Sequence, residues 1–413
     1  MKQLSLVEGR AVGGPIARGL LGAYFAVALA GLLAACVALV AAAPDLAAGS
    51  LLAPRVVLAT HLVALGFLPF AVTAASFHLL PVLLRNDIAH PRFLVAALPL
   101  LGGGFLVAPG VAYDRDTLAW VGASLVAVGL ALVLAELLGL VVRAPHNRTL
   151  VASRVGVALV ALHVTAALVL GGVMVDGGVG RWPLVHLHLA IVGWVALLIV
   201  SVGRTLGPML ALAPSEPTRR VPALELVLTA GLWLLLTGLA GGWRWLSALG
   251  GAVALLAIVA FGRTMLRVAR ERRLPIEAPL VHLLAGVFFL AQAAVLGFLM
   301  LAGGIAVWRG LGPYVVLLLV GWGAGVTLGH VDKLLSLSLW VWWPPGPRPK
   351  QDALYPRRLG LVAAAAFSAG SELVAIGALE RSAAVVRAGA ILALLGGLAA
   401  AAGAAVTWSR RSR

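Results

Sequence analysis

The sequence predicts an all-α polytopic membrane protein with about twelve transmembrane helices, and three observations carry that prediction. The composition is 62% hydrophobic and 11% charged, with a mean hydropathy of +1.05, beyond the range of soluble domains. Apolar stretches of about 20 residues, the length of one bilayer crossing, recur from one end to the other. Arginines collect in the gaps between these stretches, and alternate gaps differ sharply in how many they hold.

In order, the predicted spans are 19–43, 56–84, 93–112, 117–142, 152–175, 183–212, 221–240, 244–266, 276–303, 310–337, 359–379 and 384–408, forming one integral membrane domain over 1–413. Gly and Pro are frequent within them, which membrane helices tolerate because neighbours re-satisfy the backbone. The basic start MKQLSLVEGRAVGGPIARG leads into the first span without a small-residue cleavage site, so that span reads as a retained helix and not a removed signal. Cys36, the only cysteine, falls within it, which excludes a disulfide or a thiolate cluster inside one chain.

The two ends and the gaps after even-numbered spans hold 22 of the 31 positive residues, among them Lys2, Arg10, Arg85, Arg148, Arg219, Arg220, Arg273, Arg348 and Arg411. The gaps after odd-numbered spans, with their flanks, hold seven: Arg55, Arg115, Arg181, Arg244, Arg309, Arg381 and Arg387. Arg204 and Lys333 lie within or at the end of spans. This asymmetry predicts both termini in the cytoplasm and places the chain, as a multi-pass protein, in the cytoplasmic (inner) membrane. The net charge of +16 is therefore topological. With no compact basic domain, nucleic acid is not a predicted partner; the lipid bilayer is.

One pattern occurs twice. His61, Gly66, Phe67 and Pro81 are matched by His188, Gly193, Trp194 and Pro208, with a glycine and an aromatic five and six residues after the histidine and a proline twenty after it. A histidine in hydrocarbon is expensive, and a repeated one points to a bound cofactor or metal. At 1.5 Å per residue, His61, His186 and His188 fall about 8–10 Å below the outer surface. His78, His282 and His330 form a second group towards the cytoplasmic side. His186 and His188 are about 200° apart around a helix, so they do not share one centre unless the helix is distorted. Neutral imidazole ligates haem iron and copper, and two histidines facing one another at one depth grip a haem. A membrane histidine also serves as a helix-to-helix hydrogen-bonding residue, a reading that stands beside the first for His163, His78 and His282. His90 and His146 read as solvated loop residues.

With these residues in view, the chain resembles divergent members of the haem-copper oxidase subunit I superfamily and NnrS-like membrane proteins. The likeness is carried by the second and sixth spans, by GHVDK in the tenth (His330 to Lys333), and by RTLG at Arg204. Aligning Leu334 with the two prolines puts Tyr314 where the repeat histidine stands. The resemblance implies three pseudo-equivalent groups of four helices, His61 as a haem ligand and His186 or His188 as a metal ligand. It also implies a cytochrome or quinol as electron donor. Two departures weigh against a standard oxygen reductase: the seventh span has no histidine, and the tenth has one, set deep.

The expectation is a membrane protein that binds haem, with or without copper, in electron transfer or in handling nitric oxide or a related small ligand. His61, His188, His186, His330, His78 and Arg204 are the candidate cofactor-binding residues, with His186, His188 and His282 as candidate metal ligands. Arg204 suits a haem propionate or another acid. Glu277 with His282, and Asp332 with His330, suit a proton path or an ion site, against the plainer expectation that Asp332 pairs with Lys333. A twelve-helix transporter and a cofactor-free assembly partner are the alternatives.

Overall fold

The computed structural model describes residues 16–144, 151–175, 182–214, 222–341, 343, 347 and 349–410. His146, Arg148, Arg181, Arg219, Arg220, Trp342, Arg348 and the outermost basic residues lie outside them, as does the side chain of Asp332. Among the described residues every regular element is helical. Twelve helices are long and apolar enough to cross a membrane: α1 (Arg18–Ala41), α2 (Pro54–Leu84), α3 (Pro91–Ala112), α4 (Asp116–Arg143), α5 (Arg154–Val175), α6 (Trp182–Met209), α7 (Ala223–Gly241), α8 (Arg244–Glu271), α9 (Ala278–Leu301), α10 (Val307–Val341), α11 (Arg357–Leu379) and α12 (Ala383–Ser409).

The number matches the sequence expectation, while some boundaries move for local reasons. α8 continues to Glu271 because its last turns are amphipathic, with Met265, Val268 and Ala269 buried between arginines. α1 stops at Ala41, and Pro44 opens a separate short helix, Ala43–Ala47. α3 is interrupted at Gly102 and Gly103, just after Pro99, whose missing N–H breaks the ladder.

Helices α3 and α4, α7 and α8, and α11 and α12 pack pairwise as antiparallel hairpins. Each pair has glycine at the same three places: Gly103, Gly110 and Gly122; Gly231, Gly238 and Gly250; Gly370, Gly377 and Gly389. A Cβ would lie 2.5 Å from Ala119 N if added to Gly110, 2.4 Å from Ser247 N at Gly238, and 2.5 Å from Val386 N at Gly377. The helices thus touch backbone to backbone, the close approach that small residues allow in a membrane. The turns also match. A residue with positive φ (Asp114, Gly242 or Arg381) is followed by one whose N–H bonds back to the middle glycine of the triplet. These bonds, Arg115 to Gly110, Trp243 to Gly238 and Ser382 to Gly377, are all 2.8 Å, the closure of a left-handed helix cap.

The turns mark one face of the molecule, here the hairpin face, where Arg309 Nε also donates to Leu379 O (3.2 Å). On the opposite, arginine-rich face, Arg273 N–H donates to Ala211 O (3.1 Å) and Arg357 Nε to Ile276 O (3.0 Å).

Between the hairpins run α2, α6 and α10, which with α1 are the most enclosed helices; α10 is buried without interruption from Val316 to Val326. All three change from α- to π-helical winding in mid-course, at Leu62–Phe67, Leu189–Ala196 and Val316–Ala324. Each π-segment contains a glycine followed by an aromatic, and the glycine admits a close neighbour. A Cβ on Gly31 of α1 would lie within 3 Å of the Gly66 backbone, one on Gly193 would lie 2.7 Å from His163 of α5, and one on Gly321 would lie 2.7 Å from the Phe289 ring of α9.

The repeat prolines act alike. Four residues after Pro81 and Pro208 the chain turns left-handed at Arg85 and Leu212, and the next N–H returns to the proline carbonyl (Asn86 to Pro81, 3.0 Å; Ala213 to Pro208, 2.9 Å). Pro81 also frees the Phe77 carbonyl, which accepts the Ile16 N–H at 3.0 Å.

Gly377→Leu should lower resistance to unfolding in mixed micelles by about 1–3 kcal/mol through overpacking. Gly19→Leu, at a site with nothing within 4 Å, should leave the unfolding curve unchanged.

Candidate functional site

Towards the hairpin face, three residues stand at the entrances to the three π-segments. His61 immediately precedes that of α2, His188 that of α6, and Tyr314 comes two residues before that of α10. His61 Nδ1–H donates to Val57 O (2.9 Å) and His188 Nδ1–H to Leu184 O (2.7 Å), each one turn back in its own helix. A carbonyl only accepts, so Nδ1 carries the proton and Nε2 is left with its lone pair. Tyr314 Oη accordingly donates to His188 Nε2 at 2.8 Å, joining α10 to α6, with the rings tilted at 40°.

His186 points elsewhere, as its angular separation from His188 requires. It lies against Gly171 and Ala167 of α5 and within electrostatic range of His61. Its Nδ1 is buried with no hydrogen-bond partner among the described residues. The structure therefore brings His186 to His61, and His188 to Tyr314.

Towards the arginine-rich face, His330 of α10 repeats the anchored pattern, with Nδ1–H donating to Val326 O (2.7 Å). His282 of α9 sits within electrostatic range of it and packs on Gly329. The His282 Nδ1 is buried without a partner among the described residues, as is that of His78 in α2. One turn beyond His330, Lys333 makes a buried ion pair with Glu277 (2.8 Å) beneath the Tyr355 ring. The expected pairing of Asp332 with Lys333 falls on a side chain outside the described residues. Glu277 precedes the first turn of α9, where an acidic group complements the helix dipole.

Arg204 of α6 lies within electrostatic range of an acid, Glu225 of α7. Glu225 is fully buried, and both its carboxyl oxygens lack a hydrogen-bond partner among the described residues. In mid-membrane, Glu372 of α11 accepts from Gln292 of α9 (2.9 Å).

His90, read as a solvated loop residue, is exposed in the loop before α3 and is bonded there as well. With its backbone N–H, that of Ala89 and Arg143, it surrounds the buried carboxylate of Glu136, at 2.7–3.2 Å. One acid thereby caps α3 and ties it to α4, a structural role that the wide sequence separation concealed.

A small apolar cavity of about 30 Å³ lies between α1, α2 and α10, with Cys36, Thr60, Val63, Gly312 and Val316 in its wall. It has room for one or two molecules the size of water. Among the described residues no group of three or more His, Cys, Asp or Glu side chains converges as a metal site. His61 with His186, and His282 with His330, lie within electrostatic range of one another.

Tyr314→Phe should destabilise the fold by about 1–3 kcal/mol, because His188 Nε2 loses its donor while remaining buried; the ¹⁵N resonance of that nitrogen reports the loss directly. For the Lys333–Glu277 pair, Lys333→Met or Glu277→Gln alone should cost about 3–5 kcal/mol. The double variant should recover most of it, measured as a double-mutant cycle of unfolding free energies.

No protein-family model matches this chain, and no curated protein matches it.

Proposed function

We propose that the chain is a cytoplasmic-membrane protein built from three equivalent four-helix units with both termini in the cytoplasm. In this reading it binds a redox-active haem or copper ion through imidazoles near the hairpin face and uses it for electron transfer or for handling a small ligand such as nitric oxide. Three glycine-matched hairpins and three π-segments, one of each per unit, support the threefold organisation. The excess of arginine on the face opposite the turns supports the orientation. A cytochrome or quinol would be the electron donor.

The observation that carries the metal reading is the state of the His61 and His186 rings. His61 is locked by a carbonyl on Nδ1 and keeps Nε2 for a ligand, the orientation that second-shell bonding gives metal-bound histidine. Across from it, His186 has a buried nitrogen without a partner. The donor chemistry suits haem iron and copper alike, and either would supply one-electron chemistry. A haem needs a cleft that admits a whole macrocycle, whereas a copper ion held by two imidazoles does not. That difference in space makes copper the second reading.

Purified protein from haem- and copper-replete cells should show either Soret and α-bands or stoichiometric copper. His61→Ala and His186→Ala should each abolish the signal, and Tyr314→Phe should retain it. A colourless, copper-free wild type overturns the proposal and leaves a transporter or a cofactor-free assembly partner.

A further inference from the structure

Five buried polar atoms without a hydrogen-bond partner among the described residues gather along one seam, between α5, α6 and α7: both carboxyl oxygens of Glu225, the Thr229 hydroxyl and both ring nitrogens of His163. Glu225, Thr229 and Trp233 succeed one another at intervals of four, so they line one side of α7. At the lower end, nearest the arginine-rich face, Glu225 packs against Gly156 of α5 beside Ser201 of α6. At the upper end the His163 ring lies 5.9 Å from that of Trp233. His163 also presses on Gly193, inside the π-segment of α6, and its nitrogens face the Leu159 and Gly193 backbone without reaching hydrogen-bond geometry. Glu225 to Trp233 spans about 12 Å of helix rise.

Buried groups of this kind are nearly always satisfied, and a run of exceptions calls for ordered water or a shared proton. An ionisable side chain within a membrane span is functional by default. Charge at the entrance is set by Arg204, the cation within range of Glu225; Ser201 and Trp233 are the polar neighbours the adjoining helices supply. The arginine within range of the carboxyl argues against a bound metal cation, whereas burial without a hydrogen-bond donor among the described residues favours a carboxyl that takes up a proton.

We propose that Glu225, Thr229 and His163 form an internal proton relay from water at the arginine-rich face to the π-segment of α6. A hydronium ion gives its proton to a Glu225 oxygen. Glu225 passes that proton on and returns to carboxylate as the Thr229 hydroxyl, with water, accepts one proton and releases another, and one His163 nitrogen takes the released proton up. No electron moves, and the path returns the proton by the same steps. It does not depend on which group His61 holds.

The test uses the full chain in proteoliposomes. Infrared difference spectra on a pH step should contain a carboxyl C=O band that shifts in D₂O and is lost in Glu225→Gln. The ¹⁵N ring resonance of His163, assigned by its loss in His163→Asn, should respond to the same step. That response should disappear in Glu225→Gln and in Thr229→Val and persist in Glu225→Asp, while the His188 resonance stays in place as a sign of intact folding. Thr229→Val preserves shape and should keep the Glu225 band. No Glu225 band at any pH, or an unchanged His163 response in Thr229→Val, overturns the relay.

Discussion

A polar atom buried in hydrocarbon has only its own protein to bond, and that constraint orders the interior of this molecule. Three histidines meet it in one way, by returning Nδ1–H to the carbonyl one turn back in the same helix. This costs no partner from another helix, and it fixes which nitrogen faces outward. The Phe77 carbonyl, set free by Pro81, meets the constraint by taking the N–H of Ile16. Glu136 meets it by collecting four donors. The atoms left unmet stand out against this background.

Two kinds of helix contact divide the work. In the outer hairpins, glycine triplets bring regular helices backbone to backbone, and those pairs have little freedom to slide. In the centre, π-winding inserts a local change of register in α2, α6 and α10, a distortion often found where a helix serves a site. A rigid rim thus surrounds three helices whose upper and lower halves point in independently chosen directions. His186 and His188 lie just before the π-segment of α6, in regular α-helix, and their separation of two residues sends one to Tyr314 and the other towards α5.

The number of spans and the special status of His61 and His188 were legible because they rest on hydropathy and a conspicuous residue at a fixed interval. Tyr314 was visible only by extending the interval to a copy without the histidine. The hairpin glycines were equally regular, with gaps of seven and twelve in all three copies, but glycine is so abundant in this chain that the pattern does not announce itself. Partner choice was not legible. Lys333 turns to Glu277, more than fifty residues away, a contact made by the packing of α9 on α10 and not by any spacing along the chain. The seam through Glu225 was hidden for the same reason: its spacing on α7 is readable, whereas the convergence with His163 of α5 is a product of packing.

The hairpin turns carry an evolutionary consequence. Each is closed by one hydrogen bond over five residues, and the helix that follows starts at once. One residue added or removed there would rotate the next helix by about 100° and carry its glycines off the partner's backbone. The connections outside these three turns span more residues. Changes in length should therefore be tolerated outside these three turns, while the turns themselves are open to change in side chains alone.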